Sequence, residues 1–253
     1  VIDILQSFDL GTTQWVIVIC CCLMIGLTKA GVAGLGMLII PIMASIFDPK
    51  LSVGIMLPML ITGDIVAAKH YRKDADWKHL VLLLPWVAVG IGCGAYVGNK
   101  ITADWFRYLI AIAIFIGLIP MIMKKQEGEE SRYPHAWWFA AMFGLTSGFF
   151  TMVGNAAGAL MSVYLLSMNL PKNKFIGTRA WFFLIVNVVK VPLHIFLWGT
   201  ITVKTITLNA TMIPVILLGA FIGIKVVKKI NEKAYRYFII ALILIAALKL
   251  LIG

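Results

Sequence analysis

Three cations stand inside apolar stretches, where an ionisable side chain is costly: Lys29, Arg179 and Lys190. Each must either take an anionic ligand or be neutralised by a neighbouring acid. Lys29 comes just before a run of small residues, GVAGLG at 31–36. A helix that starts again after such a run presents free N–H groups, so an ammonium and a helix N-terminus would converge on one anion. Gly31, Gly34 and Gly36 would let the backbone approach that ligand closely, although the same spacing also suits a plain helix–helix contact. Arg179 follows Thr178 about one turn inside its apolar run, where it can bind a ligand or snorkel to the lipid headgroups. Lys190 lies roughly three turns deeper on that helix, and Asn187 sits three residues before it on the same face.

Asp64 is the one acid well inside a predicted span. It would neutralise Lys29 or Lys190, or carry a coupling proton, and neutralisation is the simpler role. His194, one turn beyond Lys190, is either a partner in handling charge or protons or an interfacial side chain. His70, His79 and His135 sit at segment ends among Trp, Tyr and Lys, as interfacial residues do. Cys20, Cys21, Cys22 and Cys93 have no metal-ligand spacing, so they are read as packing residues. The spans hold no Ser-His-Asp set, no HExxH and no paired carboxylates, which argues against an enzyme. Neither a metal nor a cofactor is expected.

The elements that would position these residues are membrane helices. Of 253 residues, 61% are hydrophobic and only 13% charged, with a mean hydropathy of +0.97. No soluble fold of this size hides so much apolar surface. The net charge of +11 sits in short loops between apolar runs, so its partner is the bilayer surface rather than nucleic acid. Apolar runs fall near Trp15 to Phe47, Ser52 to Ala68, His79 to Val97, Trp105 to Met123, Ala136 to Met168, Phe175 to Leu197, Val203 to Val227 and Ala234 to Ile252. The first and fifth exceed one span of about 17–25 residues, and small residues interrupt each near its middle, GVAGLG in one and VGNAAG (153–158) in the other.

If each long run goes in and comes back, the basic loops at 69–78, 124–132, 172–174 and 225–236 share a side. Only Lys50, Lys100, Arg107, Lys204 and Lys249 then lie opposite, the asymmetry that the positive-inside rule expects, with both termini outside the cytoplasm. The charge count does not separate two short full spans from a re-entrant hairpin. The halves also repeat. Pro49-Lys50 pairs with Pro171-Lys172, Gly54 with Gly177, GAYVG (94–98) with GAFIG (219–223), FRYLI (106–110) with YRYFI (235–239), Gly36 with Gly158 and Asp64 with Asn187. Five segments per half force the copies into opposite orientations. The expected fold is therefore all-α and membrane-integral, an inverted repeat of two five-segment halves whose first segment pairs are short or re-entrant. The first repeat is 1–125, a cytoplasmic linker is 126–134 and the second repeat is 135–253. Inverted repeats point to transport, with a site where the copies meet near the bilayer midplane.

The stretch LPMLITGDIVAAKHYRKDADWKHLVLLLPWVAVGIGCGAYVG and, in the second half, GLTSGFFTMVGNAAGALMSVYLLSMNLPKNKFIGTRAWFFLIVNVVKVPLHIFLWGTIT together resemble the sulfite exporter TauE/SafE family. The resemblance covers nearly the whole chain through many weakly specific positions. It implies a transporter of sulfite, organosulfonates or related small oxyanions across the inner membrane, commonly outward. Two departures bear on substrate choice: VGNAAG has few glycines, and Arg179 replaces the small polar residue expected after Thr178. The expected ligand set is Lys29, Gly31, Gly34, Gly36, Asn155, Thr178, Arg179, Asn187 and Lys190, with Asn155 mirroring the first Gly-rich turn and Arg179 marking the cytoplasmic mouth. Asp64 and His194 are left for proton coupling or neutralisation. The partners are a small anion, the lipid bilayer and a coupling proton, and the sequence leaves homo-oligomerisation open. The alternatives are a passive anion channel, since opposed re-entrant segments with cations also describe a pore, and a membrane scaffold subunit.

Overall fold

A computed structural model describes residues 5–32, 36–100, 137–168 and 170–231, with Ala234 and Tyr237. The expected segment near Trp105 to Met123, nearly all of that near Ala234 to Ile252, the linker 126–134, His135 and Gly34 lie outside the described residues.

Every regular element among the described residues is helical. They are α1 (Thr12–Lys29), α2 (Gly36–Ile46), α3 (Pro49–His70), α4 (Trp77–Lys100), α5 (Trp137–Gly154), α6 (Gly158–Ser167), α7 (Lys172–Pro192) and α8 (Val203–Lys229). Among these, α1, α3, α4, α8 and α7 with its extension to Leu197 are long and apolar enough to cross a membrane. Both long apolar runs are broken within their small-residue stretches. The second member of each pair is short: α2 has 11 residues and α6 has 10. At about 1.5 Å per residue each is some 15–17 Å long, half of a hydrocarbon core of about 30 Å.

Local sequence sets the helix ends. Asp48 caps α3, its carboxylate accepting the N–H groups of Lys50 at 3.0 Å and Leu51 at 3.1 Å, with Pro49 in the first helical position. Thr202 caps α8 through the N–H of Thr205 at 3.3 Å. Pro192 lacks an N–H, and after it the helix widens into one π-helical turn, Leu193–Leu197.

Contacts between elements define two ends of the bundle. At one end Phe8 meets Phe47 with ring centroids 6.0 Å apart, Lys50 Nζ donates to Asn99 at 3.4 Å, and Lys204 Nζ donates to the Ser7 carbonyl at 2.7 Å. At the other end a Cβ on Gly177 would stand 3.0 Å from the Tyr71 carbonyl, and Lys172 Nζ donates to the Ile230 carbonyl at 2.6 Å. The described parts of the basic loops 69–78, 172–174 and 225–236 therefore share one end. The pair α1 and α2 leaves from the Phe8 end and returns to it at Phe47. The pair α5 and α6 instead finishes near Lys172, at the opposite end.

Two close seams tie these pairs to their neighbours. Along the first, α1 lies on α8, where a Cβ on Gly26 would stand 2.1 Å from the Ile216 carbonyl oxygen. Along the second, α5 lies on α4, where a Cβ on Gly148 would stand 2.2 Å from the Val87 carbonyl oxygen. Only glycine allows backbones this near, and in lipid such packing replaces the hydrophobic drive between helices.

Candidate anion-binding site between two helix breaks

Lys29 is the last residue of α1, and the chain breaks directly after it. Gly31 has φ of 121°, a conformation that favours glycine, and it lets the backbone turn out of the helix. The ammonium of Lys29 is nearly buried and reaches Asp64 on α3, at 2.9 Å to Oδ1 and 3.1 Å to Oδ2. Asn187 Nδ2 on α7 donates to the same Oδ2 at 2.7 Å. Of the two neutralisations open to Asp64, the structure thus has the one with Lys29.

Asn155 forms the second break, at φ of 54°, a left-handed conformation that Asn tolerates better than most side chains. Its Nδ2 donates to the Val53 carbonyl on α3 at 3.1 Å. Lys190 closes the break from α7. Its ammonium donates to Asn155 Oδ1 at 2.6 Å, the Thr151 carbonyl at 2.8 Å and Thr151 Oγ1 at 3.1 Å. An ammonium has three N–H donors, and these oxygens engage all three. The Thr151 carbonyl also belongs to the last turn of α5, where the helix dipole favours a cation. Lys190 is fully buried and is held by neutral oxygens, not by Asp64.

Arg179 lies between the breaks rather than at a mouth open to the headgroups, being only 7% exposed. Its Nη1 is 3.5 Å from the Thr28 carbonyl, in the last turn of α1. A Cβ on Gly158, the first residue of α6, would stand 3.9 Å from its Nη2. The guanidinium thus spans from the C-terminal end of α1 to the N-terminal start of α6. Phe183 carries two cations, with Lys29 Nζ 4.4 Å and the Arg179 guanidinium carbon 5.5 Å from its ring centroid.

A cavity lined by Lys29, Asp64, Ile176, Arg179, Ala180 and Phe183 joins these groups. Its volume of ≈ 10 Å³ holds about a single water molecule. A sulfonate-sized ion therefore requires the surrounding helices to part. The lining carries two cations against one carboxylate, an excess of positive charge in a dry setting. Two further polar atoms nearby are buried without a partner, Thr28 Oγ1 and Asn187 Oδ1.

The remaining expected residues have other surroundings. Thr178 Oγ1 donates to the Lys174 carbonyl at 2.6 Å and accepts the Asp76 N–H at 2.9 Å, tying α7 to the α3–α4 loop. In that loop burial pushes the Asp76 carboxyl up, but hydrogen bonds and charge from His79, with the Lys174 ammonium, hold it below the usual carboxylate range. A Cβ on Gly31 would meet Ile176 and Val227 at 3.2 Å, and one on Gly36 would meet Thr28 at 3.6 Å. His194 is fully buried, four residues beyond Lys190 on the inward face of the helix, and its Nδ1 lies 2.8 Å from Thr200 Oγ1. Thr151, Phe183 and the Thr28 carbonyl were not among the expected residues. A signal existed for Thr151, which follows Lys29 by the same interval that separates Gly158 from Gly36.

Residues 18–250 match the family model described as Sulfite exporter TauE/SafE. No curated protein and no solved structure gives a significant match to the chain.

Proposed function

The chain belongs to the sulfite exporter TauE/SafE family of membrane transporters, and from that premise we propose that it is a secondary transporter of a small sulfur-containing oxyanion, sulfite or an organosulfonate, working outward across the inner membrane. The substrate sits at Arg179. The observation that carries this reading is the position of its guanidinium, beside Lys29, against the Thr28 carbonyl and close to the first residue of α6. A sulfonate offers three acceptor oxygens, and a planar guanidinium meets two of them side by side. The N–H groups that open α6 add donors and the favourable end of a helix dipole. Lys29 contributes a second cation, an ammonium, once it is released from Asp64.

The two five-segment halves are inverted repeats in this reading, and transport is alternating access around the site. A cavity of ≈ 10 Å³ admits the substrate only if its lining helices part, a movement that alternating access supplies and a passive pore lacks. Both termini face away from the cytoplasm, with the basic loops inside.

The test is exchange in proteoliposomes. Efflux of labelled methanesulfonate or sulfite should saturate and accelerate when unlabelled substrate is supplied outside. Arg179→Gln should slow that exchange at least about tenfold at equal folded yield, since a charge-assisted hydrogen bond is worth about 1.5–3 kcal/mol. Unitary anion currents without stimulated exchange would replace the transporter by a channel.

A further inference from the structure

Among the described residues Asp64 is the one acid buried in a membrane helix; two hydrogen bonds fall on its Oδ2, and the Lys29 ammonium lies 2.9 Å from its Oδ1. The charged groups that face it are Lys29 from α1 and Arg179 and Lys190 from α7. The packed helices α2 and α5 contain no Asp, Glu, Lys, Arg or His, and the lysines of α8 lie near its two ends. The carboxylate therefore sits alone among cations, on the wall of the cavity that Arg179 and Lys29 also line.

An oxyanion arriving there meets two obstacles. Lys29 is already engaged, and the carboxylate next to it repels a second negative charge with almost no water to screen the pair. A single proton on Asp64 removes both. It cancels the repulsion and loosens the hold on Lys29 Nζ, which can then donate to the ligand. Asn187 suits both protonation states. Its Nδ2 donates to the carboxylate, while its Oδ1 is buried without a partner. Rotation of the amide would bring that oxygen to accept the O–H of a carboxylic acid.

We propose that Asp64 takes up one proton when the site takes its oxyanion, so that Lys29 passes from carboxylate to ligand. The step forms one O–H bond on an Asp64 oxygen with a proton from solvent, and no electrons are transferred. This inference rests on the anion site at Arg179 proposed above.

Methanesulfonate tests it, because a strong acid stays ionised across the neutral range and any proton change belongs to the protein. The purified full chain in weakly buffered detergent should take up about one proton per bound anion within the coupled pH window, and affinity there should fall about tenfold per unit rise in pH. Asp64→Asn should bind with no proton uptake and no pH dependence. If that variant does not fold because Lys29 is left unpaired, Lys29→Gln with Asp64→Asn removes both charges and should give the same absence of uptake at saturating anion. Binding by the parent protein without proton uptake overturns the inference and leaves the anion site standing, as does uptake that survives loss of Asp64. Failure of the parent protein to bind any sulfonate, or binding unchanged by Arg179→Gln, overturns the anion site and this inference with it.

Discussion

At the first break Lys29 is met by a carboxylate and faces a cavity, whereas at the second Lys190 is met only by neutral oxygens that use all its donors. Both ammonium groups are buried, and both stand where a helix ends. The difference lies in what can replace the partner. A carboxylate can be neutralised by a proton, and an anion can take over its cation. A carbonyl or amide oxygen offers no such exchange, so Lys190 acts as a fastening for the Asn155 turn. On the proposed reading, then, burial of a cation alone does not mark a ligand site; the nature of its partner does.

The largest expected effect tests that division at Lys190. Lys190→Met leaves Thr151 and Asn155 with unsatisfied buried oxygens, which should destabilise the protein by about 2–5 kcal/mol, since each orphaned group costs about 1–3 kcal/mol. Thermal unfolding in detergent measures it. The folded fraction should still bind methanesulfonate within roughly threefold of the parent, because no charge-assisted contact to the ligand is lost. Normal stability with lost binding would exchange the roles of the two breaks.

The seams beside the breaks should respond alike although the cation sites differ. Gly26→Ala drives a methyl into the Ile216 carbonyl, and Gly148→Ala drives one into that of Val87. Overpacking of this kind costs about 1–3 kcal/mol, so both variants should unfold at lower temperature by similar amounts. A loss at one seam only would mean that the two broken pairs are not anchored in equivalent ways.

Smaller still is the expected effect at the basic rim. Lys228 is exposed near the groove formed by Lys172, Asn173 and Asn231. Lys228→Ala should change sulfonate affinity by less than about twofold, as a solvated charge beyond one Debye length of roughly 8 Å is largely screened. A tenfold loss would move the anion site to that rim. The same rim bears on orientation: cysteines placed at Arg72, Lys172 and Lys229 should all react with an impermeant reagent from the cytoplasm alone.

The sequence disclosed the breaks more readily than the chemistry within them. Small residues at 31–36 and 153–158 interrupt runs too long for one span, and both runs do break there. The link between Asp64 and Lys29 was open to reading because a lone acid among apolar helices must find a cation. Arg179 was harder. Seven residues from the start of α7 is about 10 Å of rise, within reach of the headgroups for a long side chain, and linear sequence does not say which way the residue faces. It faces inward because α7 packs between α3 and the two breaks. Thr178 and His194 show a related limit. Whether a polar side chain meets a ligand, a loop N–H or a neighbouring hydroxyl depends on which element lies against it.

Anomalous diffraction from crystals grown with bromomethanesulfonate tests the account most directly, because bromine locates the anion without recourse to mutation. The expected peak lies beside Phe183, with the sulfonate oxygens on Arg179 and the first N–H groups of α6 and with Lys29 turned from Asp64 toward the ligand. A peak at Lys190 and Asn155, or in the groove at Lys172 and Lys228, would contradict it.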